Sequence, residues 1–135
     1  MWVEANSGSG GGGGGETETT LWENTAESYA SFSSTTVTLS DNYDNYEKLR
    51  IYYRWQGNSA STETSITLPT ANFKYDVSQA VVFIGGYYSG SFYARSIRSE
   101  SRSYKNKLSI GNAYKLNSTA TSNGMGVPIK ITGIN

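Results

Sequence analysis

From residue 21 onward, apolar and polar residues alternate with a period of two. In 33–40, SSTTVTLS, positions Thr35, Val37 and Leu39 share one face. In 46–55, YEKLRIYYRW, Leu49, Ile51, Tyr53 and Trp55 fall on one side and Arg50, Tyr52 and Arg54 on the other. Apolar residues do not recur at i+3 and i+4, so the pattern predicts strands rather than helices. Gly57-Asn58 marks a turn, 64–68 a short strand with Ile66 and Leu68 inward, and Pro69 its end. The run 80–84, AVVFI, is apolar on both faces and reads as a strand covered on both sides. Gly85-Gly86 predicts a bulge or a close backbone approach. Ser89-Gly90 predicts a hairpin turn into 91–99. Strands over 107–110, 113–117 and 127–134 follow, and Pro128 places the start of the last at an edge or sheet end. With 19–23 as a first strand, about eight strands with frequent turn signals predict an all-β fold. The expected architecture is an antiparallel β-sandwich, jelly-roll-like, with one helical turn at Asp41–Tyr46.

The first twenty residues break this pattern. Gly8 to Gly15 is glycine interrupted only by Ser9, followed by Glu16, Thr17, Glu18, Thr19 and Thr20. A run without side chains cannot build a core, so 1–20 reads as a tether or stalk and 21–135 as the domain. In a lone chain the tract is a flexible linker. In a trimer, three such tracts can pack as extended polyproline-II-like strands, because glycine fits a crowded axis.

Composition narrows the chemistry. The chain has 135 residues, enough for one domain. It has no cysteine and no histidine, which excludes disulfides, thiolate chemistry, the usual zinc sites and histidine-based triads. No metal or cofactor is expected. No apolar run is long enough for a membrane-spanning helix, and MWVEANSG lacks the charged start and apolar stretch of a secretory signal. The net charge is zero but unevenly spread. Residues 1–47 hold eight acids and no base, whereas 48–135 hold all eleven bases and three acids. Either the two halves neutralise each other within the fold, or they meet between neighbouring subunits.

Three constellations bear on function. The glycine tract lacks the preceding strand and following Lys-Ser/Thr of a phosphate cradle, so nucleotide binding is not expected. Asp41, Asp44 and Glu47 offer paired carboxylates for a glycan hydrolase, or oxygen ligands for calcium; they also suit a solvated turn, and they lack the spacing of a calcium loop. The third is a basic and aromatic surface comprising Arg50, Tyr52, Arg54, Trp55, Tyr87, Tyr88, Tyr93, Arg95, Arg98 and Arg102. Tyrosines stack on sugar rings and arginines grip anions, so this set predicts either an anionic-glycan surface or a subunit interface. Zero net charge disfavours nucleic acid. Asn117-Ser118-Thr119 matches a glycosylation sequon without a context that gives it meaning. Trp22, Phe73, Phe83 and Phe92 are expected in the core, with Trp55 as the exception because it abuts a loop.

The two ends of the domain carry a resemblance. It opens with Leu21-Trp22-Glu23-Asn24, continues through Phe32 and Val37-Thr38-Leu39 to Tyr43-Asp44-Asn45-Tyr46 and Leu49, Ile51, Tyr53, and closes with Pro128-Ile129-Lys130-Ile131-Thr132-Gly133-Ile134. This resembles small C-terminal β-domains of phage and prophage tail, baseplate or fibre proteins of Gram-positive and gut bacteria. It departs at Thr25-Ala26-Glu27-Ser28, where similar domains carry a Ser-Pro-Thr-like segment, and 55–110 matches no such pattern. The resemblance implies a non-enzymatic virion fibre or head/tail decoration module, often trimeric, bound to other virion proteins through its N-terminus and presenting a face to a host-cell glycan. The alternatives are a carbohydrate-binding module of a bacterial surface protein and a glycan hydrolase.

Overall fold

The computed structural model describes residues 15–73, 82–101 and 103–135, with the side chains of 82–84 outside that description. Two antiparallel sheets face each other. The first contains β1 (Glu18–Glu23), β9 (Met125–Ile134), β3 (Lys48–Gln56) and β4 (Glu63–Pro69), in that order. The second contains β2 (Thr35–Thr38), β7 (Tyr104–Ile110), β6 (Ser91–Ser101) and β5 (Val82–Tyr88), with the short β8 (Tyr114–Lys115) also paired to β6. Three single 3-10 turns, at Tyr43–Asn45, Ala60–Thr62 and Thr70–Phe73, are the only helical segments among the described residues. The first and last strands pair, and the chain changes sheet repeatedly between them. The sequence therefore yields the all-β sandwich that its alternation predicts.

The core follows that alternation. Val37, Leu39, Leu49, Ile51, Ile97, Leu108, Ile110 and Ile131 project between the sheets and are buried, and Tyr43 and Phe73 close one end. Enclosing each aliphatic side chain stabilises the fold by about 1.5–3 kcal/mol. Ile66 and Leu68 pack against this cluster from β4. Thr35, at the start of β2, is exposed although it shares the face of Val37. The part of the 80–84 strand that includes Phe83 lies outside the described side chains.

The end motifs that carry the resemblance meet in space. Trp22 stands opposite Ile131 and Glu23 opposite Lys130. Asn24 then closes the pair: its Nδ2 donates to the Pro128 carbonyl at 2.9 Å, and its Oδ1 accepts from the Ala26 N–H at 3.0 Å. Tyr46 lies flat on Gly133, where an added Cβ would sit 2.5 Å from the ring. The Tyr43 hydroxyl, fully buried, donates to the Phe73 carbonyl at 2.9 Å. These motifs encode strand closure and end packing.

One expectation about boundaries holds and one changes. β9 is paired with both β1 and β3, but only β3 reaches Pro128, which lies past the last β1 pair, at the sheet end that the sequence predicts. It is tolerated because the β3–β9 register shifts between Tyr52 and Tyr53, and because β1 pairs only as far as Lys130. A bulge is one of the few interior places where a missing N–H costs little. The sandwich, however, begins inside the stretch assigned to the tether: β1 starts at Glu18, and Thr17 exchanges two backbone hydrogen bonds with Asn135. Residues 1–14, which hold most of the glycine tract, lie outside the described residues.

Candidate functional site

At one end of the sandwich the C-terminal ends of β3 and β5 meet the start of β6 and the segment after β8. There Tyr53, Trp55, Tyr87, Phe92, Tyr93 and Leu116 surround an open groove of about 450 Å³ floored by Gly85 and Gly86. Gly85-Gly86 runs in unbroken register with Ala94 and Tyr93, so of the two expected features it is a close approach and not a bulge. A Cβ on Gly86 would lie 2.3 Å from the Trp55 carbonyl oxygen and 2.8 Å from the Met125 methyl. The absent side chains thus let β5 lie directly against β3, and the aromatic residues on either side border a common floor.

The hairpin sets the rest. Ser89 (φ 50°) and Gly90 (φ 80°) are both left-handed, as a two-residue type I′ turn requires. That turn places Tyr87 opposite Phe92. Their rings meet edge to face with centroids 4.9 Å apart, and both remain about half exposed, at 52% and 59%. Trp55 is 38% exposed. Burial raises the pKa of the half-buried Tyr53 phenol, so it stays a neutral hydroxyl. Among the described residues, no charged side chain lines the groove.

Beside it lies a smaller recess of about 200 Å³ lined by Ala30, Gln56, Asn58, Tyr88, Ser122, Gly124 and Met125. Among the described residues none lines both hollows: Trp55 and Gln56 are consecutive on β3 and Tyr87 and Tyr88 on β5, so the side chains of each pair leave their strand on opposite faces.

The structure divides the basic and aromatic set that the sequence groups together. Trp55, Tyr87 and Tyr93 line the groove and Tyr88 the adjoining recess. Arg50, Tyr52 and Arg54 project from the outer face of the first sheet and are engaged within the chain. Arg50 pairs with Glu18 at 2.9 Å and with Glu16 at 3.9 Å. The Tyr52 hydroxyl donates to Glu18, and its ring lies under the Lys130 ammonium at 4.6 Å. Arg54 approaches Glu63 at 3.5 Å, donates to the Gly57 carbonyl at 3.2 Å and stacks over Tyr29 at 4.7 Å. Arg98 lines a separate polar hollow with Thr36, Ser109 and Tyr114. Arg102 lies outside the described residues.

Arg95 is the clearest correction. Expected on the surface, it is fully buried. Its Nη1 donates to the carbonyls of Phe32 at 2.8 Å and Gly111 at 2.9 Å, and its Nη2 to those of Met125 at 2.8 Å and Asn123 at 3.2 Å. Burial pushes its pKa down to about 10, which leaves it a cation at neutral pH. It ties three loops together in the interior, away from solvent. Phe92 is corrected in the opposite direction: expected in the core, it is among the most exposed large apolar side chains.

The uneven charge distribution is at least partly resolved within the chain. Glu16 reaches Lys48 at 3.0 Å, and Glu18 gathers Arg50, Tyr52 and Thr132, the last at 2.7 Å. Burial raises the Glu18 pKa, but the hydrogen bonds from Tyr52 and Thr132 and the charges of Arg50 and Lys130 outweigh it, so the net shift is downward. The Asp41 carboxylate forms its own turn. Oδ1 accepts from the Asn42 N–H at 2.7 Å and from Asn45 Nδ2 at 2.9 Å, and Oδ2 accepts from the Tyr46 hydroxyl at 3.0 Å. These bonds hold its pKa below the ordinary value. Among the described residues, no three of His, Cys, Asp and Glu come together in a way that could hold a metal ion.

Comparison with protein-family models finds no match, and comparison with curated proteins finds none.

Proposed function

We propose that this chain is a non-enzymatic display module whose aromatic groove binds a neutral glycan. The observation that carries this reading is the cluster Trp55, Tyr87, Phe92 and Tyr93 around a glycine floor, with no charged side chain at its wall among the described residues. Flat aromatic faces cover the C–H face of a pyranose, and tyrosine hydroxyls supply polar contacts at the rim. The anionic glycan suggested by the arginine-rich sequence is disfavoured, because Arg50, Arg54 and Arg95 are committed to partners within the chain. The resemblance of the end motifs supports a virion fibre or head/tail decoration setting, with the glycine tract as its stalk, a trimer as its assembly and a host-cell surface as the glycan's source. A carbohydrate-binding module of a bacterial surface protein is the same binding chemistry in another setting.

The test is titration of the protein against a panel of neutral and acidic oligosaccharides, followed by Trp55→Ala and Tyr87→Ala. The expected result is binding to a neutral member and a loss of about tenfold or more in each variant, the scale on which buried aromatic anchors act. A silent panel, or binding indifferent to both substitutions, rejects the reading.

A further inference from the structure

Within the groove, the side chains of the lining carry a polar atom everywhere but at one corner. Tyr53, Trp55, Tyr87 and Tyr93 each end in a hydroxyl or an indole N–H, whereas Phe92 and Leu116 have no polar side-chain atom. Those two stand side by side, because the Leu116 N–H donates to the Phe92 carbonyl at 3.0 Å. That bond also takes up a donor that the corner would otherwise offer a ligand. Both side chains are more than half exposed, so neither serves the core. Tyr53 reaches the groove from the first sheet, opposite in origin to this corner. Its ring packs on the core, as do those of Tyr43 and Tyr46, whose hydroxyls bond to the Phe73 carbonyl and to Asp41. The Tyr53 hydroxyl has no such partner among the described residues and is not sealed from water. It is left for whatever enters the groove that its ring lines.

Resting on the glycan-binding reading, we infer that the groove takes a 6-deoxyhexose, with its methyl against Phe92 and Leu116 and its ring hydroxyls toward the tyrosines. Such a sugar is a pyranose whose edge is hydroxylated except at that methyl, so its single apolar corner matches the one in the lining. An ordinary hexose puts a hydroxymethyl there, and the added hydroxyl would lose water without gaining a partner. A uronic acid would bring a carboxylate to the same apolar wall, at a larger desolvation cost. An acetamido methyl stands behind an amide that needs a donor and an acceptor beside it, and neither Phe92 nor Leu116 has a side chain that supplies them.

The experiment uses sugars that differ only by the oxygen at C6. These are methyl glycosides, matched in anomer, of D-fucose and D-galactose, of L-fucose and L-galactose, and of L-rhamnose and L-mannose. Each is titrated by NMR into the full chain, Leu116→Ser and Tyr53→Phe. The expected result is at least one pair whose deoxy member binds about tenfold tighter, within the roughly hundredfold that an added hydroxyl costs in an apolar pocket. Leu116→Ser brings that ratio below about threefold. Tyr53→Phe weakens both members by about threefold or more and keeps their ratio. Unchanged thermal midpoints confirm that both variants fold, as an exposed leucine and a hydroxyl without an internal partner predict. Absence of a preference for the deoxy member in every pair, a preference that survives Leu116→Ser, or affinities unmoved by Tyr53→Phe overturns the inference. Silence of all the pairs while another neutral glycan binds overturns it and spares the glycan reading, whereas silence of every neutral glycan overturns both.

Discussion

Arg95 is a charged residue serving as an internal fastener. Four carbonyls from Phe32, Gly111, Asn123 and Met125 converge on one guanidinium, and only a planar fork of fixed donors reaches all four. Arg95→Met would leave those acceptors buried without donors, at about 1–3 kcal/mol for each group that water cannot reach. The expected outcome is a loss of about 3 kcal/mol or more in a denaturant titration, and Arg95→Lys should recover only part of it. Glu18 makes a pH-dependent counterpart. Its folded-state pKa lies below the ordinary carboxylate value of 4.5. Its stabilising effect is therefore fully present above pH 4.5 and is lost as pH falls through the lower folded value. Glu18→Gln should lower the thermal midpoint at pH 7 and flatten its decline in acid; equal acid sensitivity in both proteins would contradict the assignment. Glu16 contributes less, since its pair with Lys48 is exposed on both sides.

At the scale of elements, the contact between β5 and β3 depends on a missing side chain. Gly86→Ala would drive a methyl into the Trp55 carbonyl, a backbone atom that cannot swing aside. A loss of about 1–3 kcal/mol is expected, as for other overpacked sites, together with weakened sugar binding as Trp55 is displaced. A crystal structure of the variant with β3 and β5 unmoved would refute this account. The elements also show what the sequence discloses. Alternation in 46–55 and the turn at Ser89-Gly90 were enough to predict β3 and the β5–β6 hairpin. The same rules carried further would have placed two residues correctly. A two-residue turn at 89–90 puts Phe92 opposite Tyr87, hence outward, and Arg95 shares the parity of Ile97, hence inward. Residue type obscured this, because phenylalanine suggests a core and arginine a surface. Other features were not legible locally. The partnership of Leu116 and Tyr53 with the groove depends on which strands become neighbours across the two sheets. The turn at Asp41–Tyr46, by contrast, is legible in the sequence, and in it Asn45 and Tyr46 fold back onto the Asp41 carboxylate.

At the scale of the whole molecule, the groove and the root of the glycine tract occupy opposite ends. Lys48, at one end of β3, faces Ile134 and pairs with Glu16, whereas Trp55 and Gln56 at the other end border the groove and recess. Eight steps of strand separate them, roughly 26 Å at ~3.3 Å per residue. Such polarity is what the proposed display role requires, with the groove facing away from the attachment. Light scattering checks the proposed assembly: about 44 kDa is expected for three copies of the 14.7 kDa chain. That mass should persist at raised salt if apolar contact holds the copies together. A mass of one chain under all conditions would leave a solitary binding head.

The pairing of β1 with β9 has a mechanical consequence. Glu18 and Ile134 are the outermost pair, and Thr17 and Asn135 lie just beyond them at the same end. Tension between the tether and residue 135 would peel the two strands apart one rung at a time, at low force. Tension between the tether and a sugar held in the groove would instead pull along the β1 axis and strain all its rungs together. Optical-trap rupture should therefore need a much larger force in the second geometry. Under the proposed function, a module moored in this way would grip hardest in the direction from which a bound surface would tug.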